Sequence, residues 1–233
     1  MAEGVDANSR RAEGDDLDAP GVERLLALSD GVVAIVLTLL VLQLVVPPIE
    51  GVSSADARSA SYLWHQLAGD GVDQFIAYVV SFYVIAQFWL THHRVFRTIR
   101  GHAEGLAWWN FTFLFTITLM PFTSELLGRF GANPVSIDLF AANLLLASLA
   151  TQGVRIYARN HHLEQAGVDD RDRRAGFFRA CWLALVVIAT GTLAWFQPRL
   201  AMYGWLLILP GHRIADLLTD RFPGPRASSD APA

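Results

Sequence analysis

Residues 24–44 read RLLALSDGVVAIVLTLLVLQL. Past Asp30 the run carries no charge, and only Gly31, Thr38 and Gln43 interrupt its aliphatic character. Extended to Val22 on one side and Val46 on the other, it is long enough to cross ~30 Å of hydrocarbon as a helix. Pro47 and Pro48 follow, and neither can continue the helix. This stretch sets the fold class, because a segment of that length and apolarity belongs in lipid.

Similar blocks recur along the chain. They cover 75–90, 106–127 with Pro121 as a kink near the far end, 137–157, and 177–196. A sixth begins at Leu200 and meets Pro210-Gly211 early. It crosses if Pro210 only bends it, and is re-entrant or interfacial if Pro210 breaks it. The expected architecture is therefore an all-α integral membrane protein with six transmembrane helices per chain. Residues 1–20 form an acidic tail without an apolar core, 21–221 the membrane domain, and 222–233 a second tail rich in Pro and Ser.

Composition agrees with this reading. Of 233 residues, 53% are hydrophobic and 17% charged, against about 25% charged in soluble domains. The net charge of -4 rests on arginines spread between the apolar blocks, so no basic face for nucleic acid is present. A lone cysteine, Cys181, excludes a disulfide within the chain. Residues 1–20 hold no signal-peptide core, so the first span does the targeting, and a cell (plasma or inner) membrane is the expected location. Arg24, the Arg94/Arg97/Arg100 group, the Arg155 to Arg174 group, Arg213 and Arg221 fall on one side, whereas Arg58, Arg129 and Arg199 fall on the other. By the positive-inside rule both termini face the cytoplasm. Trp64, Trp89, Trp108, Trp109 and Trp205 sit near predicted span ends and suit an interfacial belt.

Helical phase separates two features of the first span. At about 100° per residue, Ile35, Leu39 and Leu42 point roughly 120–180° away from Asp30, and Thr38 flanks their stripe. An aspartate at this depth requires hydrogen-bonding partners. Rings of Ile35, Leu39 and Leu42 around an oligomer axis would make an apolar constriction that blocks ions by dewetting. The same stripe equally suits ordinary helix packing.

With these residues in view, the chain resembles the prokaryotic relatives of the lysosomal potassium channel transmembrane protein 175. The family signature opens helix one with Arg, three residues, then Phe-Ser-Asp and an aliphatic helix containing a threonine. Arg24, Ser29, Asp30, Ile35, Thr38, Leu39 and Leu42 match it, while position 28 is Leu where the family has Phe. Phe88-Trp89-Leu90-Thr91-His92-His93-Arg94 and Trp109-Asn110-Phe111 through Met120-Pro121-Phe122 match its second and third helices. The resemblance implies a homotetramer with helix one lining the pore and no glycine-rich carbonyl filter. It implies a potassium-preferring channel constricted at Ile35, Leu39 and Leu42, with Thr38 contributing to selectivity. Arg24, Ser29, Asp30, Asn110 and a histidine of the His92-His93 pair would form a hydrogen-bonded brace. The partners so implied are potassium ions, further copies of the chain and membrane lipid, with no cofactor.

Two other readings compete. A proton-coupled transporter would use Asp30, Glu125 and His92/His93 as a relay, although Glu125 also suits an interfacial position. Metal or haem ligation by His92-His93 or His161-His162 is opposed by spacing, since adjacent residues on a helix point about 100° apart. Nothing resembles a nucleophile motif, so the chain is not expected to be an enzyme.

Overall fold

The computed structural model describes residues 3–45, 53, 58–101, 103–165 and 170–222, with side chains from residue 21 onward except at 66, 70, 170 and 212. The Pro47-Pro48 stop and the 223–233 tail lie outside the described residues. The regular structure of the described residues is helical, with one isolated bridge between Ile99 and Glu164. Helix α1 runs Glu3–Leu39 and tightens into a 3-10 turn, Leu40–Gln43. A short α2, Ala60–Ala68, precedes α3 at Asp70–Phe96. Then come α4 at Glu104–Arg129, α5 at Pro134–Asn160 and α6 at Asp170–Ala194. The last described elements are α7 at Pro198–Gly204, a 3-10 turn at Trp205–Ile208, and α8 at Gly211–Arg221.

Among the described residues, five helices are long and apolar enough to cross a membrane: Gly21–Gln43, Gly71–Phe96, Glu104–Arg129, Pro134–Asn160 and Arg171–Ala194. The sixth apolar block does not form one helix. Pro210 lacks an amide hydrogen and its ring blocks the preceding turn, so α7 and α8 are separate pieces. That break gives Trp205 a new environment. Its ring is fully buried edge-on against Phe140, with centroids 5.1 Å apart, so Trp205 is a core residue and not part of a belt. Trp64 and Trp108 remain outward-facing, each 72% exposed.

At the other end, α1 starts at Glu3, within the stretch whose composition suggested a tail. Adding turns to a helix already nucleated costs far less than starting one, so the apolar span can carry polar residues ahead of it.

Helices α4 and α5 form the centre, joined by a turn in which Asn133 caps α5 by accepting from the Val135 amide ahead of Pro134. Phe113, Ile117, Met120, Phe140 and Leu144 fill the core between them. Apolar side chains gain little by meeting one another in lipid, so interhelical hydrogen bonds and close backbone approach carry much of the specificity. Asn143 Nδ2 donates to Thr116 O at 3.1 Å between α5 and α4, and Ser81 Oγ donates to Ser124 Oγ at 2.8 Å between α3 and α4. Gly153 lets the Trp109 ring lie directly on the α5 backbone. At one end of the bundle the α3–α4 and α5–α6 connections are stitched together by Arg100 N to Leu163 O (2.9 Å) and Gln165 N to Thr98 O (2.8 Å).

Candidate pore helix and its hydrogen-bonded brace

Helix α1 packs one narrow face on α3 and α4. Val22, Leu25, Ser29, Val33, Val36 and Leu40 are buried at spacings of three and four residues, the repeat of one helical face. Gln43 Nε2 donates to the backbone carbonyl of Pro121 and ties the 3-10 turn to α4.

The polar residues on this face form the brace. Ser29 is fully buried, and its hydroxyl lies within donating distance of Leu25 O (2.8 Å) and Asn110 Oδ1 (3.1 Å). Asn110 Oδ1 also meets His92 Nε2 at 2.7 Å. The His92 ring is sandwiched between Phe96 and Phe113, with both centroid distances 4.4 Å. One buried amide thus joins α1, α3 and α4. Asp30, one residue on, turns to a different partner, accepting from Trp89 Nε1 at 2.7 Å. Trp89 packs against His93, with centroids 5.5 Å apart.

Ser29, His92 and Asn110 therefore come together, with Asp30 and His93 linked beside them through Trp89. Arg24 does not join: it is exposed and makes none of these bonds. Five residues before Ser29, it is rotated about 140° around the helix. Trp89 was assigned to a belt by its position near a span end, and it belongs to the brace instead. The usable signal was its place three residues before His92, on the same helical face.

The opposite face of α1 is bare. Ile35 is 60% exposed, Leu39 44% and Leu42 74%. Thr38 is exposed and its hydroxyl donates to Ile35 O at 2.7 Å. A Cβ placed on Gly31 would meet nothing within 4 Å. Within a broad exposed face that also holds Ala27, Ala34, Leu39 and Val41, the residues Leu28, Gly31, Ile35, Thr38, Leu42 and Val45 follow steps of three and four, the heptad repeat of a seam suited to packing on other helices. The most apolar span is also the least buried, at 22% of its window against 50% for α4 and α5.

Of the residues a coupled relay would use, Asp30, His92 and His93 lie together, and Glu125 stands apart from them. Glu125 pairs with Arg129 at 2.8 Å on the surface, fifteen residues beyond Asn110 on α4, a separation of about 22 Å along the helix. Among the described residues no group of three or more His, Cys, Asp or Glu could hold a metal ion. His161 stacks on Tyr157 and His162 closes the helix with a positive φ of 55°.

The family described as "Endosomal/lysosomal potassium channel TMEM175" matches residues 24–121, the stretch that runs from within α1 through α2 and α3 into α4. A potassium channel of Chryseobacterium sp. is 33% identical over 148 residues, covering 61% of this chain and 70% of that protein. A potassium channel of Streptomyces collinus is 31% identical over 195 residues, covering 81% and 90%. The crystal structure of a lysosomal potassium-selective channel TMEM175 homolog from Chamaesiphon minutus superposes with a TM-score of 0.68 over 86% of this chain and 99% of that one, at 21% identity.

Proposed function

From the premise that this chain belongs to the endosomal/lysosomal potassium channel TMEM175 family, we propose that it is a multi-pass membrane cation channel that prefers potassium. Copies of α1 surround a central axis in a homotetramer. The observation that carries this reading is the bare heptad seam on α1. A helix surrounded only by lipid has no need of a regular seam, whereas one that packs on its own copies does.

In this arrangement Ile35 and Leu42 turn toward the axis, with Leu39 beside them. Their rings form an apolar constriction that dewets when narrow and conducts when widened. Thr38 adds the polar atoms of the seam next to Ile35 and contributes to ion preference. The Ser29–Asn110–His92 bonds and the Asp30–Trp89 bond fix the rotation of α1, which decides the residues that face the axis. Residues 21–221 act as one channel domain. The broken α7–α8 segment completes an even number of crossings, with both termini on the cytoplasmic side of the cell membrane. The arginines gathered at one end of the bundle support that orientation.

Potassium flux into liposomes holding the purified protein tests the function. A channel passes potassium down its electrochemical gradient with no imposed proton gradient. Flux that requires a proton gradient overturns the proposal. Ile35→Asn hydrates the constriction and raises the leak severalfold; an unchanged leak in that variant moves the pore elsewhere.

A further inference from the structure

Away from α1, at the end where the α3–α4 and α5–α6 connections meet, a cavity of about 720 Å³ opens between α3, α5 and α6. Six arginines line it (Arg94, Arg97, Arg155, Arg159, Arg173 and Arg179) against two carboxylates, Glu164 and Asp172. Glu164 is already taken by Arg173 at 2.9 Å. Most of the remaining wall is apolar, with Leu145, Leu149, Ile156 and Phe177 among its residues beside Thr98, Ser148 and Gln152. One cavity therefore presents guanidinium groups and a greasy surface together.

Two of these arginines are unusual. Arg155 and Arg179 lie within spans α5 and α6, and the Nε of each is buried without a hydrogen-bond partner among the described residues. Arg155 is seated on the bare backbone of Gly176, where an added Cβ would collide with its guanidinium. Cationic groups inside a membrane span are costly and are normally matched by an anion; Asp172 in the cavity wall acts on both arginines, and their two Nε donors stay unsatisfied beside it. Guanidinium is the side chain best suited to a phosphate, which it grips with two parallel hydrogen bonds.

We infer that this cavity is a binding site for the phosphate headgroup of an anionic phospholipid, held by Arg155 and Arg179 with the acyl chains against the Leu149–Phe177 wall. The position fits a headgroup: Arg94 is two residues from the end of α3 and Arg155 five residues from the end of α5. A free phosphate would use the guanidinium groups and leave the apolar wall uncovered, so the wall assigns the site to an amphiphile. The site lies apart from α1 and does not depend on which ion the pore passes.

Native mass spectrometry of the purified full chain in detergent, titrated with phosphatidylglycerol or phosphatidylcholine, tests this. The expected preference for phosphatidylglycerol is roughly 30-fold, about fivefold for each of the two arginines. It falls to within about threefold in R155Q/R179Q. Phe177→Ala, which leaves every charge in place, should weaken binding of long-chain but not short-chain phosphatidylglycerol, and it keeps the test open if the double variant does not fold. Equal binding of the two lipids by the wild-type protein overturns the proposal. So does full competition by millimolar inorganic phosphate, which makes the ligand a free oxyanion, or an assembled particle in which a neighbouring subunit fills the cavity.

Discussion

Replacing Asn110 by Leu tests the brace at its centre. Asn110 supplies the only hydrogen-bond partner of His92 Nε2 among the described residues, and the His92 ring is 1% exposed between two phenylalanines. Ser29 keeps its bond to Leu25 O when the amide is lost, so it adds little to the cost. The penalty falls on the orphaned imidazole. Unsatisfied buried groups cost about 1–3 kcal/mol, and interhelical bonds in membrane proteins reach about 1.7 kcal/mol, so N110L should destabilise the fold by about 1–2 kcal/mol.

Adding His92→Phe removes the orphan. Phenylalanine fills the same slot between Phe96 and Phe113, and the double variant should return to within about 1 kcal/mol of wild type. Unfolding in mixed micelles of increasing dodecyl sulfate fraction, followed by helical circular dichroism, gives the midpoints for all four proteins. A double variant that loses the sum of the two single losses refutes the reasoning, because Asn110 and His92 would then not act on each other.

Asp30→Ala strips the acceptor from Trp89 Nε1 and should lower stability by about 1–2 kcal/mol, while Asp30→Asn keeps an acceptor and should stay within about 0.5 kcal/mol on the same unfolding curve. Gly153→Val would drive a side chain into the Trp109 ring and part α4 from α5, for a loss of about 1–3 kcal/mol read as a lower midpoint or a failure to purify in folded form.

Much of the fold was legible because membrane helices declare themselves by length and apolarity, and the five long helices stand where those blocks stood. The sixth was ambiguous for a stated reason, the proline at 210, and the structure splits the block there into two helices. Short amphipathic pieces such as α2 left no such signal and were missed. Within the site, phase alone put Asp30 and Ile35 on different faces, and Ser29, Asn110 and His92 meet as the matched motif implied. Phase could not foresee that Trp89 takes Asp30, or that Arg24 stays outside, because side-chain reach depends on how α3 and α4 are tilted against α1. The arginine cavity was equally hidden. Arg155 and Arg179 are 24 residues apart in the chain and meet only once α5 and α6 pack around Gly176.

The most direct measurement is a structure of the assembled particle in a lipid nanodisc. It should show Ile35, Thr38 and Leu42 of neighbouring subunits facing one another across a symmetry axis, with Ser29 and Asp30 turned back toward Asn110 and Trp89. Finding Ile35 and Leu42 against lipid on the outer perimeter would contradict the account.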